Sequence, residues 1–300
     1  MIQMNADDKP YILDETENFA VVYKPPKIHC APKNFSFSGE GAEGKEEPSS
    51  NTLLEWYSLQ SGKKCGVELM HRLDFETHGL ALFANNKKSF NFFRDMQDRG
   101  EFIKEYSAVC TKPPHSTNSG PRRGEASGTT LLDGAQAGVS GALEGFPNLN
   151  FAPQRLCGIE CENISSREFP FIIESYFRPY GPGRKSVRPV IEDGKKHKEI
   201  AKDNGGFYKT EIINIEDACE GFGRIFTLRI KRGFRHQIRC HLCWAGFPIK
   251  NDPLYSSKQP ENSSDGKPAL PAALALRAHA VFFYDPADGK LRKYRIAPLK

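Results

Sequence analysis

Three hundred residues with 38% hydrophobic content suffice for one large domain or two ordinary ones around an adequate core. No run of eighteen or more apolar residues occurs, which argues against a membrane span, and the start MIQMNADDKP lacks the basic and apolar stretches of a signal peptide. Eight cysteines at irregular positions (30, 65, 110, 157, 161, 219, 240 and 243) argue for reduced thiols rather than a secreted disulfide scaffold, so a soluble, cytoplasmic protein is expected, with net charge +5.

Taken in chain order, AVVYKP (20–25) reads as a short strand ending at a proline pair, and NTLLEWYSLQ (51–60) as a helix starting at an Asn or Thr cap. Between them, residues 34–50 hold three glycines, four glutamates and almost no aliphatic side chains, a composition that cannot offset the entropy of ordering. Leu80 to Phe83 form an apolar run too short for a helix, hence a buried strand. Residues 86–100 place Phe90, Phe93, Met96 and Gln97 at helical spacing before a closing glycine. FIKEYSAVC (102–110) alternates, with Phe102, Lys104, Tyr106, Ala108 and Cys110 on one face. Residues 112–150 carry seven glycines and read, like 34–50, as a mobile surface insertion whose shortening leaves the fold intact. Strands follow at 169–177, 206–215 and 224–230, then a helix at 234–247 and strands at 274–284 and in the terminal KYRIAPL. No repeat at solenoid or propeller periods is present. Strands outnumber helices and several are hairpin-connected, so the expected class is α+β, a single domain over 1–300 with a mixed, largely antiparallel sheet.

The charge is unevenly spread. Residues 171–245 hold 15 Lys or Arg against 9 Asp or Glu, and Tyr176, Phe177, Arg178 and Tyr180 run into Arg184, Lys185 and Arg188. Positive charge interleaved with rings suits a phosphate backbone with exposed bases, although a solvated basic face explains the charge equally well. Asp74 lies in a loop immediately before the apolar strand, where an aspartate commonly bonds its own turn. In the helix at 234–247, Arg235 and Arg239 are four apart and share a face, with His236 and Gln237 beside them. An arginine packed against a sheet needs an anionic partner. Asp74 is a candidate for it, and such pairing favours the ionised carboxylate, available as nucleophile or base.

These residues fall in recognisable segments. HRLDFETHGLALFAN (71–85) resembles the catalytic motif HRLDxxTSGLLLFA of the RluA-type pseudouridine synthases. FAVVYKPPKIHCAP (19–32) resembles that family's upstream strand and K-P turn, and FIKEYSAV (102–109) its K-x-Y-x-A-x-V strand. GFRHQIRCHLCWAGFPIKNDPLY (233–255), LALRAHAVFFYDP (274–286) and YRIAPL (294–299) resemble its later segments. The resemblance implies the pseudouridine synthase fold, with its sheet split by the active-site cleft, and isomerisation of uridine to pseudouridine in structured RNA, ribosomal or transfer. It implies no metal or organic cofactor, no membrane and no obligate protein partner. It places the catalytic carboxylate at Asp74, an active-site tyrosine that packs on the base and helps remove the C5 proton at Tyr106, and the arginine that pairs with the aspartate at Arg239. Arg72, His71, Arg235, His236 and Gln237 are assigned to RNA binding. Three positions depart from the pattern: His78 stands for serine, Phe234 for arginine and Asn251 for glycine. No S4-type RNA-binding domain is expected ahead of the first motif.

Two other classes stay open at this point. Cys240 and Cys243 form a C-x-x-C beside His236 and His241, and with Cys157 and Cys161 they could build a zinc-stabilised RNA-binding module, against which stands the simpler reading of buried thiols in a helix. The other is a non-catalytic RNA-binding or RNA-folding protein on the same fold, against which stand the intact aspartate, tyrosine and arginine.

Overall fold

The apolar runs decide the centre of the sheet. β2 (Phe19–Lys24) and β4 (His78–Ala84) are buried along their whole length on both faces, and they pair antiparallel from Phe19↔Ala84 to Lys24↔Gly79. A strand covered on both sides has no polar face to show, which is why these sequences do not alternate. The computed structural model describes residues 9–32, 52–62, 66–111, 169–190, 206–218, 223–256 and 273–299. The expected insertions at 34–50 and 112–150 lie outside the described residues.

Among the described residues the elements run β1 (Tyr11–Glu15), β2, α1 (Leu53–Gln60), β3 (Glu68–Leu69), β4, α2 (Lys87–Asp98), β5 (Ile103–Thr111), β6 (Phe171–Tyr180), β7 (Ser186–Val190), β8 (Tyr208–Asp217), β9 (Gly223–Ile230), α3 (Gln237–Trp244), β10 (Leu276–Tyr284) and β11 (Leu291–Arg295). The strands form a mixed sheet in the order β1-β2-β4-β10-β5-β9-β8-β6-β7, with β3 beside β4 and β11 beside β10. Every pairing is antiparallel except β4 with β10, which touch in parallel through only Arg277↔His78 and Ala278↔Gly79. The α+β class and the largely antiparallel sheet are therefore as expected from sequence.

That narrow junction depends on a glycine. Gly79 has φ +125°, and a Cβ there would lie 2.2 Å from the Ala278 carbonyl oxygen. Only a residue without a side chain lets the two halves of the sheet meet at this point.

The helices start where capping chemistry directs. Thr52 and Glu55 form a capping box for α1, and the Asn86 side chain accepts from Ser89 N–H at the start of α2. Phe90, Phe93 and Met96 of α2 pack with Phe19, Leu82, Phe102 and Phe283 in one core cluster. A larger cluster on the other side of the sheet includes Val22, Leu53, Tyr57, Phe83, Tyr106, Phe226 and Leu242. A third, between the β6–β7 hairpin and α3, holds Phe177, Val187, Cys240, Cys243 and Tyr255.

One expectation needs correction. The helix at 234–247 is shorter, because His236 adopts the left-handed conformation (φ 56°, ψ 18°) and Gly246 has φ +85°, which bounds the helical turns. Arg235 therefore precedes the helix and shares no helical face with Arg239. The other face of β5 carries buried polar side chains: Glu105 lies against His279 and Arg229, and Ser107 accepts the Leu299 N–H. Burial opposes the Glu105 charge, but those hydrogen bonds prevail and its pKa is lowered. No helix among the described residues is long and apolar enough to cross a membrane.

Candidate active site

Asp74 sits in a loop pinned at three points. At its start the buried His71 accepts the Leu82 N–H on Nε2 at 3.2 Å, tying the loop to β4. In its middle the Cys30 thiol lies 3.3 Å from the Leu73 carbonyl and accepts the Leu73 N–H at 3.2 Å. At its end the buried Lys24 ammonium donates to the carbonyls of Pro25, Phe75 and Thr77 at 2.9, 3.3 and 2.7 Å. The turn itself is closed by Thr77 N–H onto the Asp74 carbonyl. The carboxylate is thus spared from holding its own loop and faces a cavity.

The opposite wall comes from the segment 231–239. Arg239 is buried on α3, and its Nε and Nη2 form a two-pronged contact with Asp252, each at 2.8 Å. Its remaining arm, Nη1, lies 3.5 Å from Asp74 Oδ2. The expected partnership is therefore real but secondary. The planar fork goes to Asp252, whose Oδ1 also accepts the N–H groups of Leu254 and Tyr255. A side chain with no exposure needs the stronger, two-bonded partner, and Asp74 at 22% exposure still reaches solvent. Burial works against the Arg239 charge, but Asp252 and then Asp74 outweigh it and raise its pKa.

His236 contributes a third group. Its Nε2 is 4.0 Å from Asp74 Oδ1 and its Nδ1 is 3.3 Å from the Tyr255 hydroxyl. Burial lowers its pKa to about 4, against the opposing pull of Asp74, so the ring is neutral at pH 7 and is no ion-pair partner for the carboxylate.

Between the two walls is a cavity of about 700 Å³, lined by Asp74, Tyr106, His236 and Arg239, with Lys104 and Leu276 among its other walls. Tyr106 projects from β5 and is 5% exposed. Burial first, then the Asp74 charge, raises the pKa of its phenol well beyond neutral pH. Lys104, on the same face of β5, donates to the Lys231 carbonyl at 2.7 Å. Arg72 and Arg235 are exposed residues of the lining, and Arg235 also donates to the carbonyls of Arg184 and Ser186 on the β6–β7 hairpin. A concave, partly apolar site with a few convergent polar groups suits a flipped nucleotide.

The sequence-predicted residues divide accordingly. Asp74, Tyr106, Arg239, Arg72, Arg235 and His236 converge on the cavity. His71 and Gln237 also border it, but His71 Nε2 and both ends of the Gln237 amide are engaged inside the protein. Gln237 accepts from Phe234 N–H and donates to the Lys209 carbonyl and the Thr210 hydroxyl. Phe234, in place of an arginine, stacks on Phe177 with centroids 5.1 Å apart and contacts Tyr208. Asn251 occupies φ 62°, a left-handed position that asparagine tolerates better than most side chains, which accounts for its standing where glycine is usual. Sequence reading missed the supporting roles of Lys24, Cys30, Lys104 and Asp252. All four stand within the quoted motifs, yet nothing local says that they are buried against this loop and helix.

The C-x-x-C thiols point elsewhere. Cys240 and Cys243 contact the carbonyls of Val187 and Tyr255, and burial raises the pKa of both. His241 is enclosed by the Ser175 and Thr210 hydroxyls at 2.9 Å each. No cluster of three or more metal-ligating side chains is present among the described residues, and Cys157 and Cys161 lie outside them.

A family model described as RNA pseudouridylate synthase matches residues 18–130, the span that holds Asp74 and Tyr106. Over that span the chain is similar to the RNA pseudouridylate synthase family. It is 21% identical over 244 residues to "Ribosomal large subunit pseudouridine synthase D" of Buchnera aphidicola subsp. Schizaphis graminum, covering 80% of this chain and 52% of that one. It thus spans about half the length of that curated relative. Among solved structures, "Human RNA Pseudouridylate Synthase Domain Containing 1" has TM-score 0.56 at 15% identity, covering 99% of this chain and 86% of that one. "Human RNA Pseudouridylate Synthase Domain Containing 4" has TM-score 0.53 at 15% identity, covering 96% and 88%. These two likenesses establish the pseudouridine synthase fold. The matched span stops short of Arg239, and it is the tertiary structure that brings α3 to the pseudouridine synthase motif.

Proposed function

We propose that this chain isomerises uridine to pseudouridine in RNA, with Asp74 as the reactive carboxylate. The observation that carries this is the placement of Asp74 on an independently pinned loop, facing a nucleotide-sized cavity 3.5 Å from a buried arginine. Breaking the C1′–N1 bond leaves negative charge on uracil, and the detached base has to be held while it turns so that C5 meets C1′. One carboxylate at the sugar, a fixed cation beside it and the Tyr106 ring as a platform meet those needs. The raised Tyr106 pKa keeps the phenol protonated at neutral pH, which suits packing against the base better than removing a proton from it.

RNA is the substrate class favoured by the rim. Arg72, Lys231, Arg232 and Arg235 surround the cavity mouth, and Arg178, Arg184, Lys185 and Arg188 follow along the hairpin that Arg235 contacts. Arg188 lies over the Tyr180 ring at 4.9 Å, so cation and ring are already paired at the hairpin's edge. Ribosomal and transfer RNA both fit such a rim, and the name of the bacterial relative makes large-subunit ribosomal RNA the first to examine.

The test uses total RNA from a strain lacking the gene, labelled with tritium at uridine C5. Purified protein should release the label to water and create pseudouridine at discrete positions absent from the untreated RNA. RNA binding without any release would instead support the non-catalytic reading.

A further inference from the structure

His236 has features that RNA binding does not require. It is a non-glycine residue held in the left-handed region, a conformation that persists only where the surroundings impose it and that clusters at functional sites. The consequence is that the side chain turns away from the helix and into the cavity, with Nε2 4.0 Å from Asp74.

The other ring nitrogen defines the tautomer. The Tyr255 hydroxyl donates its single proton to the Val187 carbonyl at 3.1 Å and accepts the Val187 N–H at 2.8 Å. It can meet His236 Nδ1 at 3.3 Å only as a further acceptor, so Nδ1 carries the hydrogen. Nε2 is left with a lone pair directed into the cavity.

Resting on the pseudouridine synthase reading above, we propose that His236 is the catalytic base that removes the C5 proton after the new bond to C1′ has formed. In that intermediate C5 is tetrahedral, bonded to both C1′ and hydrogen, and the ring holds a C6=N1 double bond. The C5–H bond breaks, its electron pair forms C5=C6, and the C6=N1 pair moves to N1, which takes up a proton. The C5 proton goes to Nε2, from which it can pass to N1 or to water. No oxidant or cofactor enters the balance.

Geometry favours this assignment over the neighbouring groups. Once C5 is bonded to C1′, its hydrogen is only two bonds from the atom that Asp74 addresses, within reach of a base close to that carboxylate. Tyr106 is held protonated, and Lys104, Arg72 and Arg239 are cations without a lone pair. The imidazolium formed would stand beside the Asp74 carboxylate, which stabilises it as an ion pair.

The test compares wild type with His236→Gly and His236→Asn, since glycine and asparagine both accept φ +56° and preserve the chain path. The substrate is total RNA of the deletion strain, carrying either hydrogen or deuterium at uridine C5, under single-turnover conditions with circular dichroism as a folding check. At saturating enzyme, where any change in RNA affinity drops out, both variants should form pseudouridine about 100-fold more slowly or worse. Their C5 deuterium isotope effect should exceed that of wild type, and added imidazole should partly restore the glycine variant. Slowing without a larger isotope effect or rescue would overturn the assignment and leave His236 as a positioning residue, and an unchanged rate would overturn it outright. If wild type itself forms no pseudouridine, the activity reading falls and takes this one with it.

Discussion

Arg239 shows how one guanidinium can serve two carboxylates with different purposes. Asp252 takes the fork and fixes the plane of the group, while Asp74 meets only the remaining arm. The two aspartates should therefore respond oppositely to the same conservative change. Asp252→Asn leaves the buried Arg239 charge without its two-bonded counter-ion and is expected to cost about 3 to 5 kcal/mol of folding stability. Asp74→Asn removes a partly exposed charge with a single long contact and should change stability by less than about 1 kcal/mol, yet abolish pseudouridine formation while RNA binding survives. Urea unfolding beside single-turnover assays checks both. Appreciable activity in folded Asp74→Asn would remove that carboxylate from the mechanism.

At the level of elements, the candidate active site depends on how β4 meets β10. Their contact is two residue pairs wide and is made where β4 leaves the Asp74 loop, so the loop's position relative to β5 and Tyr106 passes through it. Gly79→Ala would drive a methyl group into the Ala278 backbone in addition to the strain of a positive φ. Gly289→Ala carries a positive φ of 67° but meets nothing within 4 Å. The second substitution should cost about 1 kcal/mol, from backbone strain alone, and the first several times that. Thermal unfolding of the two variants decides it, and equal losses would mean that the β4–β10 contact is not as tight as the geometry requires.

Across the whole molecule, His71 and His241 are buried and His236 is half-buried, all as neutral rings, and desolvation lowers the pKa of each, to about 4 for His236 and about 3 for His241. The sign follows directly. Below pH 6.5 the unfolded chain takes up protons that the folded chain refuses, so these groups reduce stability progressively as pH falls from about 6.5 towards 4 for His236 and towards 3 for His241. Each contributes a slope of roughly 1.4 kcal/mol per pH unit within its window. His241→Asn should therefore flatten the acid side of the stability profile, whatever it does to stability at pH 7, as read from urea midpoints between pH 7 and 4.5. An unchanged slope would show that His241 is protonated in the folded state.

By itself the sequence determined most of the elements, though not β1, β3 or β7, and the capping chemistry at the start of α1. Continuous apolar runs marked β2 and β4, the 3.6-residue pattern of Phe90, Phe93 and Met96 marked α2, and the Asp74 and Tyr106 motifs marked two residues that line the cavity, because each of these signals is carried by residues adjacent or one turn apart. Tertiary structure alone decided the partnerships. That Arg239 gives its fork to Asp252, that Lys24 and Cys30 hold the Asp74 loop, and that the polar face of β5 is covered all depend on contacts between residues 13 to 174 positions apart. The left-handed turn at His236, which shortens α3 and aims the imidazole at Asp74, was equally illegible, because only a small minority of histidines adopt that conformation and they do so where the surrounding packing imposes it.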